Sequence, residues 1–575
     1  MSELTERARD WASHDPDPAT RQELLEVIGR AESGNAASDS TESGNAGSED
    51  AGSENAEADL ASRFAGPLTF GTAGLRGRVA AGQSRMNVAV VTRATAGFAQ
   101  YLYDTIGEGG RVVVGCDARY GSHAFYDAAA EVLSAAGMTV LALPKELPTP
   151  VTAYAVRALD ADAGIMVTAS HNPPADNGYK VYLGGRAASA NARGVQITTP
   201  ADSEIAACID AAPPADEVPR STDGIEAVGD DLVEAYLVRM AEHRRDTSPS
   251  TVRLVLTAMH GVGGETAMAV LDRANVSDVH PVPEQFAPDP DFPTVPFPNP
   301  EEPGAIDLSI KLAMDVSADL VAALDPDADR CSLASPLRDG TWRQLNGDEI
   351  GALFGEQAAA DDDRAGDTLA CSIVSTRLLQ RIADHHGLHG ATTLTGFKWI
   401  ARTPGIRYGF EEAIGYCTDP EAVRDKDGIG AMAHAVSLVE ELAEQGRTLE
   451  DLLDDLARTH GLHATSPLTF RVDDVSIISD AMAKLREAGI SELAGSPVIE
   501  TVDLAEGADG LAPTDGLRYV TEANDRVVIR PSGTEPKLKC YLEVILACDG
   551  EEVPRAAAHE RLEQIKTDLH AVLGI

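Results

Sequence analysis

The sequence predicts an α/β protein of four domains: three related α/β units with mixed, mostly parallel sheets, and a C-terminal α+β domain. Three observations carry that prediction. A chain of 575 residues is too long for one hydrophobic core and implies several. Through its middle, short apolar runs alternate with helical stretches, the pattern of βαβ units. In its last segment strands follow one another and a single helix closes the chain.

In order, residues 1–31 hold a helical pattern, RQELLEVIGRA. Residues 32–58 form an acidic, low-complexity tract with SGNA and GSE repeats and no aromatic residues. Such a tract cannot bury enough apolar surface to fold, so it reads as a disordered insertion before the first domain. In residues 59–212, RVVVGCD (111–117) and MTVLALP (138–144) read as strands, and FYDAAAEVLSAAG (125–137) and TPVTAYAVRAL (149–159) as helices. In residues 213–343, VRLVLTAMHGVGG (252–264) is a strand entering a glycine-rich loop, followed by the helical ETAMAVLDRA. The proline-rich tract 286–304 lies inside this unit and reads as a loop. In residues 344–461, LACSIVST (369–376) opens a third unit, with RLLQRIADHHG as its helix. In residues 462–575, LTFRV, RVVIRPSG and KLKCYLEVIL are strands, and HERLEQIKTDLHAVL is the closing helix.

Composition narrows the function. Net charge is −45, with only nine lysines. Nucleic acid and anionic membranes need a basic face, so neither is a partner, and nothing implies a protein partner. No run of about 18 apolar residues occurs to span a membrane. The N-terminus lacks the apolar core of a secretory signal. Seven cysteines are scattered without a C-x-x-C pair, which argues against a zinc site or disulfide framework and fits a reducing cytoplasm. Several of the scarce cations fall in or beside the motifs below: Arg76, Lys180, Lys398, Arg530, Lys537 and Lys539. An anionic substrate entering an anionic protein needs such a local positive pocket.

Four segments carry chemistry. GIMVTASHNP (164–173) is an apolar strand that delivers Ser170 and His171 into a loop. It reads as an ordinary Ser/Asn/Pro turn or as a nucleophile and phosphate carrier beside an imidazole. ADLVAALDPDADR (318–330) is a strand ending in Asp325, Asp327 and Asp329, three carboxylates able to converge on one hard cation such as Mg²⁺. An EF-hand is excluded, because Arg330 and Pro336 stand where that loop needs Gly and Glu. RPSGTEPK (530–537) offers a guanidinium, two hydroxyls and a glycine, a set suited to phosphate. GFEEAIGY (409–416) sets Glu411 beside Glu412, either sugar-hydroxyl ligands or two exposed charges.

With FGTAGLRG (70–77), these blocks resemble, in order, the α-D-phosphohexomutase superfamily of phosphoglucomutases and phosphomannomutases. They span residues 70 to 537. In the sugar loop Ala413 stands where the family often has Ser, and Phe410 replaces a Gly. That variant resembles the phosphoglucomutase-2-type branch, some of whose members act on pentose phosphates. The resemblance implies an active site in a cleft where four domains meet. It also implies an intramolecular phosphotransferase that interconverts glucose 1-phosphate and glucose 6-phosphate through a phosphoserine, or the corresponding mannose or pentose phosphates. Ser170 would carry the phosphoryl group. One Mg²⁺ would be held by Asp325, Asp327, Asp329 and an oxygen on Ser170. Lys180, with His171 assisting, would handle protons, and Arg76 and Arg330 would share the phosphoryl charge. Arg530, Ser532, Gly533 and Thr534 would clamp the idle phosphate, Glu411 and Glu412 the ring hydroxyls, and Lys398 phosphate or sugar. Glucose 1,6-bisphosphate would be intermediate and activator.

Overall fold

The structure is a computed structural model that describes residues 2–38, 49–362, 364–472, 474–532, 537–550 and 552–574. The chain divides into two compact units. The first is Met1–Cys331 with Asp419–Ala433, and the second Ser332–Thr418 with His434–Ile575.

The first unit begins with three helices, Glu3–Ser13, Pro18–Ser38 and Glu49–Arg63. Within the tract 32–58, expected to be disordered, residues 32–38 and 49–58 are helical. The second helix runs on to Ser38 and the third starts at Glu49; residues 39–48 lie outside the described set. The physical reason is that Ala56 and Leu60 are buried against Leu24, Val27 and Ile28. A few apolar positions at helical spacing close a small core despite the acidic composition.

A seven-stranded sheet follows. Ala163–Val167, Arg111–Cys116, Thr139–Ala142 and the edge strand Ile225–Ala227 lie side by side in that order, all parallel. Asp176–Leu183 pairs antiparallel with Ala163–Val167, and Leu75–Arg78 pairs antiparallel with Asp176–Leu183. Val112, Val114, Ile165 and Val167 are fully buried among helix residues such as Phe98 and Leu133. Both faces of this sheet are covered, which is why its strands read as unbroken apolar runs. Leu320–Leu324, Leu254–Thr257 and Val279–Pro281 form a second parallel set, flanked by the helices Gly263–Arg273 and Asp307–Val316. The proline-rich tract carries neither helix nor strand from Ala287 to Ile306.

In the second unit, Cys331–Pro336 (which begins one residue before it) turns back antiparallel on Trp342–Gln344. A four-stranded sheet has the order His389–Thr393, Thr368–Ser372, Ile406–Glu411, Gly415–Cys417, the first three parallel. The last sheet has six antiparallel strands, with Lys537–Leu546 between Leu462–Arg471 and Arg526–Pro531. The helices Val475–Ala488 and Arg555–Leu573 bury Met482, Leu485, Ile565 and Leu569 against it. This is the α+β arrangement expected of the C-terminal segment.

Candidate active site

Parallel strands end at their carboxyl edge in loops that carry chemistry. In the first unit two such loops meet. Past Ala163–Val167 the chain turns sharply, and Ser170 adopts a left-handed backbone, φ 52°. A non-glycine residue there is strained, and surrounding contacts must hold it. They do: the Ser170 amide donates to Thr168 Oγ1 at 2.9 Å. The buried Arg119 guanidinium donates to the carbonyls of Ser170 and Asn172, each at 2.6 Å, and of Pro173 at 2.9 Å. Ser170 Oγ is thereby set 2.8 Å from Asp325 Oδ2 and 3.2 Å from His171 Nδ1.

The second loop follows the wholly buried strand Leu320–Leu324. Asp325, Asp327 and Asp329 are at most 1% exposed, and one oxygen from each lies within 4.8 Å of the others. The turn is tight: a Cβ on Gly261 would stand 2.2 Å from the Pro326 carbonyl oxygen. Lys180 Nζ donates to Asp327 Oδ2 at 2.7 Å and Asp329 Oδ2 at 2.8 Å. Lys426 Nζ lies 3.2 Å from Asp329 Oδ2, and Arg330 Nε 3.8 Å from Asp329 Oδ1. Thr149 Oγ1 donates to Asp327 Oδ2 at 2.6 Å.

The electrostatics divide these groups. Burial, with Asp327 and Asp329 close by, pushes Asp325 well above the usual carboxylate range. Burial acts the same way on Asp329, but Lys180, Lys426 and Arg330 outweigh it and hold that carboxylate below its ordinary value. Burial opposes the Lys180 charge, and Asp327 and Asp329 more than restore it, so this lysine is a firm ammonium. His171 is driven well below 6.5 by burial and then by Arg330 and Arg76, so its imidazole is neutral. Asp327 Oδ1 and Asp329 Oδ1 are buried and find no hydrogen-bond donor among the described residues. Crowded carboxylates with orphaned oxygens are what a hard divalent cation satisfies. The residues present fit such an ion.

Arg76 lies on the strand Leu75–Arg78, opposite Gly178, and donates to Asn172 Oδ1 at 3.4 Å. Its buried Nε has no partner among the described residues. Thus Arg76, Ser170, His171, Lys180, Asp325, Asp327, Asp329 and Arg330, all read from the sequence, share one site. Arg119, Thr149 and Lys426 join them unannounced.

The second unit carries the other candidates. Ile406–Glu411 is a buried strand, and Glu411 is 8% exposed at its end. Glu412 Oε2 accepts from Ser375 Oγ at 2.8 Å and Ser372 Oγ at 3.0 Å. The Phe410 ring packs on Gly351, where a Cβ would stand 2.3 Å from it. That contact accounts for the aromatic residue in the loop. Lys398 sits on the short helix Phe397–Ile400. Arg530 ends the strand Arg526–Pro531, its buried Nε without a partner among the described residues. The Ser532 amide donates to the Lys537 carbonyl at 2.8 Å, where the paired strands Arg526–Pro531 and Lys537–Leu546 come together. Gly533 and Thr534 lie outside the described residues.

Models of phosphoglucomutase/phosphomannomutase α/β/α domains I, II and III match residues 67–215, 234–337 and 346–460, and the family's C-terminal domain matches 471–561. The chain belongs to the phosphoglucomutase/phosphomannomutase family. It is therefore a mutase, an isomerase of phosphorylated sugars. A Haemophilus influenzae protein named "Probable phosphomannomutase" is 43% identical over 462 residues, 80% of this chain and 93% of its own. The Mus musculus phosphopentomutase is 32% identical over 99% of this chain and 93% of its own. Among solved structures, parafusin, a phosphoglucomutase of Paramecium, superposes with a TM-score of 0.68 at 18% identity, over 89% of this chain and 96% of its own. Among the described residues, no helix of this mutase is long and apolar enough to cross a membrane.

Proposed function

We propose that this mutase interconverts glucose 1-phosphate and glucose 6-phosphate, with a phosphoryl group carried on Ser170 and glucose 1,6-bisphosphate formed between two transfers. The observation that carries the reading is Ser170 Oγ at 2.8 Å from Asp325 Oδ2, beside a carboxylate trio with two buried oxygens that find no donor among the described residues. The glucose assignment is supported by the loop GFEEAIGY, which resembles that of glucose-using members.

In the first transfer the Ser170 O–P bond breaks and a bond from phosphorus to a sugar oxygen forms; the sugar hydroxyl loses a proton and Ser170 Oγ, as leaving group, takes one up. In the second transfer the sugar O–P bond at the other position breaks and the bond from phosphorus to Ser170 Oγ re-forms, with the proton movements reversed. Lys180 and His171 are the groups we assign to that proton exchange, the first charged and the second neutral. Arg76 and Arg330 face the phosphoryl oxygens. Mg²⁺ bound by Asp325, Asp327, Asp329 and an oxygen on Ser170 would neutralise charge on the phosphoryl group. Between transfers the sugar turns over, so one clamp must accept either phosphate. Arg530, Ser532, Gly533 and Thr534 are assigned to it, with Lys398 as a further contact. Glu411 and Glu412 are assigned to ring hydroxyls common to both orientations.

The test is turnover of glucose 1-phosphate beside mannose 1-phosphate and ribose 1-phosphate, together with intact mass. Resting enzyme should carry roughly 80 Da of phosphoryl on Ser170. S170A should lose that mass and at least ~10³ of kcat, since a covalent carrier has no substitute. Full activity in S170A rejects the mechanism; a preference for mannose or ribose phosphate rejects glucose alone.

A further inference from the structure

We infer that Ser375 is a positioning residue that ties the sugar-loop carboxylate Glu412 to the base of the hairpin carrying Arg530. The inference deepens the proposed function, since it rests on the reading of Glu412 as a ring-hydroxyl ligand.

The tie is the segment 372–377, which leaves the strand Thr368–Ser372 and enters the helix Leu378–His385. On one side, Ser372 Oγ and Ser375 Oγ both reach Glu412 Oε2, at 3.0 and 2.8 Å. The two hydroxyls are themselves 2.9 Å apart, and the Glu412 amide donates to Ser375 Oγ at 3.3 Å. Glu412 is thus held at main chain and side chain by the same serine.

On its other side the segment is gripped by the two strands of the phosphate hairpin. Arg526 and Glu543 are paired partners at the hairpin's base, while Arg530 and Lys539 are paired nearer its tip. Arg526 donates to the Ile373 carbonyl at 3.2 Å and the Ser375 carbonyl at 2.5 Å. Glu543, 1% exposed, accepts from Thr376 Oγ1 at 2.8 Å, the Arg377 amide at 2.7 Å and Arg377 Nε at 2.6 Å. His463 Nδ1 lies 3.1 Å from the same carboxylate. Between these polar ends, Ile373 and Val374 are buried with Leu504 and Val528. Asp348 Oδ1 accepts the Thr376 amide at 2.7 Å.

A buried carboxylate that takes four donors is costly to leave half-satisfied, so the segment and the hairpin base move together. Ser375 has its carbonyl on the hairpin side and its hydroxyl on the sugar side. A shift of the hairpin as it takes up a phosphate therefore reaches Glu412 through one residue. A mutase that binds one sugar in two orientations needs its hydroxyl ligands reset with each phosphate seated, and this chain of bonds provides the connection.

The experiment compares S375A, E543Q and the double variant with wild type, measuring kcat and KM for glucose 1-phosphate and, by calorimetry, binding of glucose 1-phosphate and of inorganic phosphate. We expect each single variant to raise KM about tenfold with kcat changed less than about threefold, as loss of a charge-assisted hydrogen bond would. The double variant should be no worse than the poorer single one, because both cut the same connection. Inorganic phosphate, which has no ring hydroxyls, should bind S375A as it binds wild type. An unchanged KM in S375A, multiplying effects in the double variant, or equal losses for inorganic phosphate would overturn the inference. If S375A does not fold, S375G, which removes the same hydroxyl, takes its place in every measurement. A wild type that neither binds nor turns over glucose 1-phosphate rejects the glucose assignment instead, and the comparison then runs with mannose 1-phosphate and ribose 1-phosphate.

Discussion

Ser170 is held in a left-handed conformation by Arg119, whose guanidinium serves the carbonyls of three residues in the loop. R119M should lower kcat about 10–100-fold while leaving the phosphate clamp intact, because a displaced nucleophile loses its alignment with the phosphoryl group. A KM rise with unchanged kcat would argue against that role. The serine, the imidazole and the three aspartates were legible because each set is contiguous in the chain and follows an apolar strand. Arg119 and Thr149 were not, because their partners lie 51 and 178 positions away. Lys426, flanked by Asp425 and Asp427, reads locally as one more solvated charge. Only its 3.2 Å approach to Asp329 Oδ2 distinguishes it.

At the scale of elements, the strands and helices of the parallel sheets were readable from apolar runs and helical spacing, as was the antiparallel C-terminal sheet. The helices within 32–58 were not, since their buried positions are few and set in acidic repeats. Packing between elements was also hidden: nothing local says that helix Gly347–Ala360 must present Gly351 to the Phe410 ring. G351A should cost about 1–3 kcal/mol in denaturant unfolding, the usual price of overpacking. The same helix carries Asp348, whose carboxyl is pushed up to about 7 by burial and then by Glu412 and Glu543. In the unfolded chain that carboxyl ionises near 3.8. Between those values the folded state holds a proton the unfolded state has lost, so this group's contribution to stability falls as pH rises from about 4 to 7. D348N, which can still accept the Thr376 amide, should lose that dependence and melt about 2 °C or more above wild type at pH 8. Parallel melting curves for the two proteins from pH 5 to 8 would contradict this.

Over the whole molecule, 92 acidic residues face 47 basic ones. The basic ones include the Arg76, Arg119, Lys180, Arg330 and Lys426 group around the candidate metal loop. Mutual repulsion of the remaining acidic surface opposes compaction, and salt screens it within a Debye length of about 10 Å at 0.1 M. Melting temperature should therefore rise by a few degrees from low to 1 M NaCl. A flat profile would show the surface charge to be energetically silent. Salt should also weaken long-range attraction of a phosphorylated sugar into the basic pocket, so kcat/KM should fall over the same range.

The four family segments follow one another along the sequence, but the compact units do not: Asp419–Ala433 belongs to the first, although it is encoded between parts of the second. This stretch brings Lys426 to Asp329, and Asp427 to the Tyr236 hydroxyl at 3.0 Å. A gene truncated after Cys331 would therefore encode a fragment lacking part of its own interior, with one ammonium fewer at Asp329 and a buried phenol deprived of its acceptor. Circularly permuted or split versions that keep codons 419–433 with the amino-terminal piece are the ones from which an independently folding half could be recovered.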